Sequence, residues 1–231
     1  MNKAILGIVL LSTVGSPAVA AERTLSVTSF DRIRVDGPFR VKLTTGVSPF
    51  ARVTGSTQGI DAVSVDVQGR TLIVRGNPSS WGGYPGKADG PIEVSVGTHE
   101  LSAAWVNGSG SLAIDKVKGL EFDLAMQGSG SATIGNVAVD LLKIGMSGSA
   151  SASVAGAAPK MTAIVRGTSS LDAGSLKVKD ATVGAEGPAV VKFLASNSAK
   201  IDARGTSSVE VGGSPACTVK SEGSSTVSGC R

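Results

Sequence analysis

From residue 102 onward apolar and polar residues alternate with period two, and the alternation restarts at a recurring glycine. The restarting glycines are Gly108, Gly128, Gly148, Gly167, Gly187, Gly205 and Gly223, spaced 20, 20, 19, 20, 18 and 18 residues apart. Aligned on that glycine, the chain falls into columns. Four residues before it stand Ala104, Leu124, Ile144, Ala163, Val183, Ile201 and Val219. Four after it stand Leu112, Ala132, Ala152, Leu171, Val191, Val209 and Val227. The position just before it is always polar: Asn107, Gln127, Ser147, Arg166, Glu186, Arg204 and Glu222. Alternation of this kind predicts half-buried strands on both sides of a glycine turn. Two short strands and two turns are expected per repeat.

One such repeat has no partner for its apolar face, whereas stacked copies bury a continuous core. The expected fold is therefore all-β: a parallel β-helix of about seven coils of 18–20 residues. At the usual strand spacing it makes a rod about 34 Å long. Ser and Thr at the turns can form ladders from coil to coil. An antiparallel sandwich is the competing architecture, and the matching columns argue against it.

The inward column Phe122, Leu142, Met161, Ala181, Ala199 and Cys217 shrinks toward the C-terminus, which predicts a thin last coil. Cys217 lies six residues before its glycine and Cys230 seven after it, so a folded-back coil brings the two together. A Cys217–Cys230 disulfide is expected to close that end.

Residues 22–101 follow a looser plan and are expected to start the sheets and cap the first coil, continuous with the repeat coils of 102–231. Strand-like runs are 25–27, 33–35, 39–43, 51–53, 63–67, 71–74 and 92–96, with a tight hairpin at Gln68-Gly69. The segment 76–91 is a long Gly/Pro-rich loop holding Trp81 and the only tyrosine, Tyr84. Long loops carry function more often than core strands, which makes these two aromatics candidate ligand contacts. Packing of both rings on the rod is the alternative.

Residues 1–20 read as a cleavable signal peptide: Lys3, an apolar run over 4–14, then Ala18-Val19-Ala20 as the cleavage site. No cysteine follows that site, so a lipoprotein is not expected. Export agrees with two cysteines that can pair in an oxidising compartment. The expected location is periplasmic or secreted. No later segment is apolar enough for a membrane helix, and the C-terminus lacks a barrel-type amphipathic strand. The formal charge of +4 falls to +3 without Lys3, with no basic run of the kind that binds nucleic acid.

Chemistry-bearing motifs are sparse. His99 is the only histidine, the glycine turns lack the aspartate of calcium-binding repeats, and no Ser-His-Asp set assembles. No catalytic residue, metal site or cofactor is expected.

The run 30–43, Phe-Asp-Arg-Ile-Arg-Val-Asp-Gly-Pro-Phe-Arg-Val-Lys-Leu, the hairpin Gly-Arg-Thr-Leu-Ile-Val at 69–74 and the repeated Gly-Ser-Gly-Ser turns resemble a known family. It is the putative autotransporter adhesin head domain family, of unknown function, found in bacterial exported proteins. The resemblance covers roughly residues 28–215. It implies a single-stranded, right-handed parallel β-helix and supplies no catalytic residues.

The functional expectation is an exported, non-catalytic, adhesin-like binding or structural module of the cell envelope, with a glycan or an envelope protein as partner. The alternative is a polysaccharide-active enzyme, a lyase or glycoside hydrolase, on a β-helix scaffold. A glycoside hydrolase needs two carboxylates across the scissile bond. The outward acids Asp123, Asp172, Glu186, Asp202, Glu210 and Glu222 are scattered, and Lys192 separates Asp172 from Glu210 in their column. That arrangement reads as a surface ion ladder.

Overall fold

A computed structural model describes residues 21–77 and 92–230. The signal-peptide reading of 1–20 and the aromatics Trp81 and Tyr84 lie outside the described residues.

The repeats form a parallel β-solenoid. Its long strands are β9 (Ser111–Gly128), β10 (Ser131–Gly148), β11 (Ser151–Arg166), β12 (Ser170–Glu186) and β13 (Val190–Gly205). Each pairs in parallel with the next, so like positions of successive repeats lie on one another. The seven repeating glycines bound six complete turns, close to the seven coils expected. The inward column predicted from the alignment is in register throughout: Phe122, Leu142, Met161, Ala181, Ala199, Cys217.

One expectation needs correction. In β9 to β13 the second turn of the repeat does not interrupt the strand, which runs for 16–18 residues. In β9, β10 and β12 the coil instead turns by slipping the phase of its alternation. In β12 the buried residues are Leu171 and Ala173, then Leu176 and Val178, then Ala181, Val183 and Ala185. Each three-residue step would aim the next side chains outward on a straight strand. They stay inside, so the strand bends round the core at each step, and register shifts fall at the same places. In β9, β10 and β12 the coil thus has three sides, with phase slips at two corners and the glycine turn at the third, whereas the buried residues of β13, from Val191 to Ala203, keep a single phase.

The glycine turn needs its glycine. Gly128 has φ +110°, and a Cβ there would meet the carbonyl oxygen of Gly108 at 2.6 Å. The turns are tied coil to coil by main-chain bonds, such as Ser129 N–H to Gly108 C=O at 2.9 Å and Ser149 N–H to Gly128 C=O at 2.8 Å.

The N-terminal section extends the stack. β2 (Arg32–Asp36) lies in parallel on β8 (Ala103–Gly108), and β3 (Arg40–Thr45) on the first arm of β9. Gly37 sits at the turn between β2 and β3 and stacks on Gly108, which makes it an earlier member of the glycine column. Below this rung lie β6 (Thr71–Gly76), paired with β2, and β7 (Glu93–Thr98), paired with β3. The end is then sealed antiparallel: β5 (Val63–Gln68) pairs with β6, while β4 (Phe50–Gly55) pairs with β7 and β1 (Ala21–Leu25) with β4. A short helix α1 (Thr57–Asp61) links β4 to β5 and is capped by Ser56 Oγ, which accepts from Gly59 N–H. Reversing strand direction at the end covers edges that would otherwise template further pairing.

At the opposite end β14 (Ser208–Gly212) carries β16 (Thr226–Ser228), and β15 (Ala216–Gly223) lies on β13. Side chains of this last coil are largely exposed, as the taper of the column requires. Cys217 and Cys230 form the expected disulfide.

Candidate functional site

The interior is filled with side chains, so the surface is where chemistry can occur. The outward position three residues before each glycine forms a column along one face. Register places Ile73 on Arg34, Arg34 on Trp105, Trp105 on Ala125, Ala125 on Gly145, Gly145 on Ile164 and Ile164 on Gly184. The relief of this column follows from side-chain size. Trp105 and Ile164 stand up as walls, and Ala125 and Gly145 form a floor between them. Among the described residues nothing lies within 4 Å of where a Cβ of Gly145 would be, so the floor is open.

This trough has a volume of about 370 Å³, at the lower end of small-ligand sites. A second depression of about 350 Å³ lies on the other side of Trp105, against Arg34, Thr71 and Ile73. The indole is half-buried and borders both. One flank is the polar column Asn107, Gln127, Ser147 and Arg166.

Charges at the two ends of the trough are paired. Arg34 Nε donates to Asp36 at 2.9 Å, and Asn107 Nδ2 donates to the same carboxylate at 2.7 Å. Arg166 Nε donates to Glu186 at 3.1 Å. Between them Gln127 and Ser147 make no side-chain hydrogen bond among the described residues. The middle of the groove is therefore neutral and offers one unpaired amide and one hydroxyl.

The acids singled out in the sequence mostly sit in ion pairs. Lys192 pairs with Glu210 at 3.2 Å, Arg204 with Asp202 at 2.9 Å and with Glu222 at 3.3 Å. Hydrogen bonding from Lys220, together with the charges of Lys220 and Arg204, holds the Glu222 carboxyl below its usual range. Asp172 accepts from Gly174 N–H at 3.0 Å. These contacts agree with a surface ion ladder. Among the described residues no three His, Cys, Asp or Glu converge on a metal-binding position, and no helix is long and apolar enough to cross a membrane.

Sequence reasoning placed the candidate contacts at Trp81 and Tyr84, whose flanks end β6 and precede β7. It missed the Trp105 groove. The signal was available in the glycine alignment, because Trp105, Ala125, Gly145 and Ile164 all stand three residues before their glycines.

Fold and surface define a parallel β-solenoid with one sealed end and a neutral groove centred on an aromatic ring. The chain belongs to the family described as "Putative auto-transporter adhesin, head GIN domain", whose model matches residues 29–215. It is similar in fold to three crystal structures. A "putative adhesin" from Bacteroides fragilis superposes with a TM-score of 0.77 at 16% identity, over 93% of this chain and 96% of that one. A "putative lipid binding protein" from Parabacteroides distasonis gives 0.73 at 17% identity, over 91% and 96%. A "putative adhesin" from Parabacteroides merdae gives 0.68 at 17% identity, over 91% and 95%. No curated protein matches the chain in sequence.

Proposed function

We propose that this protein is an exported, non-catalytic binding module of the cell envelope. Residues 1–20 are removed as a signal peptide and the remainder acts in the periplasm or outside the cell, without a lipid anchor. Residues 22–101 form the cap of a rod whose repeat coils occupy 102–231. Its partner is a glycan or an envelope protein.

The observation that carries this reading is the neutralised outer surface. Most of the carboxylates considered for hydrolysis are held by neighbouring cations, and the concave face bordered by Trp105 is lined by neutral and self-paired groups. A general acid or base needs a free carboxyl of tuned pKa at the reacting bond. Membership of an adhesin-like family and the Cys217–Cys230 bridge support the same reading. Trp81 and Tyr84 serve in this proposal as further ligand contacts.

The test has two arms. Expression of the full chain followed by fractionation and mass spectrometry is expected to find an exported product starting at Ala21. Incubation of that product with envelope fractions and with polysaccharides is expected to show retention without cleavage. Release of new reducing ends or of unsaturated sugars would overturn the non-catalytic assignment in favour of a polysaccharide-active enzyme.

A further inference from the structure

We infer that the groove between Trp105 and Ile164 is a binding site for a neutral oligosaccharide, with Trp105 as its stacking platform. This rests on the binding-module reading and names the chemistry of its ligand.

A pyranose ring has two C–H faces that are apolar and a rim of hydroxyls that are not. A protein holds it with an aromatic face for the ring and planar or small polar groups for the rim. Trp105 supplies a large, partly exposed indole on a rigid strand rather than a loop. Beside it, Gln127 offers two donors and an acceptor and Ser147 a hydroxyl, neither hydrogen-bonded through its side chain among the described residues. The spacing also fits. Successive rungs are about 4.8 Å apart, close to the width of a sugar ring, so each rung along the column can serve one residue of a chain. Trp105 and Ile164 are three rungs apart, a span of about 14 Å that holds two to three rings. The open floor at Ala125 and Gly145 leaves room for the ring edge.

Charge decides against other occupants. Single-stranded nucleic acid requires a positive channel along its backbone. Here Arg34 and Arg166 are already paired with Asp36 and Glu186. A lipid tail requires an enclosed apolar cavity, and this groove is shallow with a polar flank.

The test uses the mature chain for calorimetry, and the same chain carrying Trp81→Phe, in which Trp105 is the only tryptophan, to assign the change in emission. Hexasaccharides of β-1,4-glucose, β-1,3-glucose, α-1,4-glucose and mannose are titrated against its emission, and affinities are measured by calorimetry. At least one is expected to shift the Trp105 emission and to bind more tightly than its own disaccharide. Trp105→Ala and Gly145→Val are each expected to weaken that binding tenfold or more. Gly184→Val, one rung beyond Ile164 where a Cβ also meets nothing, is expected to leave it unchanged. An unaltered melting temperature in all three variants shows that the fold is intact.

The inference is overturned if no hexasaccharide binds, or if binding survives Trp105→Ala but is lost in Trp81→Ala/Tyr84→Ala. It is also overturned if phosphatidylethanolamine–phosphatidylglycerol vesicles, and no sugar, bind through Trp105. Retention on envelope fractions that no neutral oligosaccharide competes away removes the glycan and leaves the binding-module reading standing. Cleavage of a probe removes that reading itself.

Discussion

Cys217 and Cys230 close the last coil on itself, with Cα atoms 5.7 Å apart across its two arms. They stand at the rung where the inward column has shrunk and, among the described residues, no further coil pairs with it. Val219, inward by column, is 41% exposed there. The covalent link takes the place of packing where the aliphatic core has run out.

Cys217→Ser is therefore expected to lower the melting temperature by several degrees under oxidising conditions. A loop of this length contributes about 3 kcal/mol by chain entropy. A stacked array loosens from its ends, so amide exchange should rise first over residues 208–230. Wild type in reductant should match the variant, and an unchanged melting temperature in both would contradict the role.

Two buried serines of one turn column should respond with opposite sign. Ser207 Oγ is buried with no hydrogen-bond partner among the described residues, whereas Ser169 Oγ accepts from Ala150 N–H at 3.3 Å. Ser207→Ala removes an unsatisfied hydroxyl and is expected to raise stability by about 1 kcal/mol. Ser169→Ala strands a buried donor and is expected to lower it by a similar amount, about 1 kcal/mol. Denaturant melts of the two variants check the contrast, which the intervening Ala189 shows to be sterically permissible.

Gly128→Ala is expected to cost about 1–3 kcal/mol for its positive φ, and more if the carbonyl of Gly108 must move. Gly184→Ala, where a Cβ meets nothing, should leave stability within about 0.5 kcal/mol of wild type. Equal losses in both variants would mean that the turn geometry is not the cause.

The Asp180 carboxylate accepts from Ser198 Oγ and Asn197 Nδ2, both at 2.6 Å, and these bonds hold its pKa below the usual range, with smaller help from Lys160 and Lys179. A depressed folded pKa contributes stability that is present above the unfolded value and is lost as pH falls through the folded one. Ser198→Ala/Asn197→Ala should raise the Asp180 midpoint in a carboxyl NMR titration. The side chain is partly exposed and its bonds are screened by solvent, so the acid-unfolding midpoint should barely move. Lys143 runs the other way: its bond to Glu121 raises its pKa, and that contribution disappears only as alkaline pH passes the folded value.

The sequence alone determined the coils. Glycine intervals and period-two columns are local quantities, and stacking like on like is the arrangement that buries every apolar column at once. The taper from Phe122 to Cys217 and the pairing of the cysteines followed from the same alignment. Gly37 was legible by the same rule, with Ile33 and Val35 before it and Val41 and Leu43 after it, but residues 38–107 separate it from the next repeat and hide the period.

The tertiary structure decided what sequence spacing could not. Corners made by phase slips look like ordinary irregularities in alternation until the burial of Leu176 and Ala181 shows that the chain bends there. The groove is a matter of relief. Trp105, Ala125, Gly145 and Ile164 are each unremarkable in their own strands, and only the register sets two large side chains at the ends of a floor with none. Arg34 and Ile73 join them from strands far away in sequence, because the cap places β2 and β6 beneath β8. A core is written by hydrophobic periodicity along one chain segment, whereas a surface site is written by which segments become neighbours.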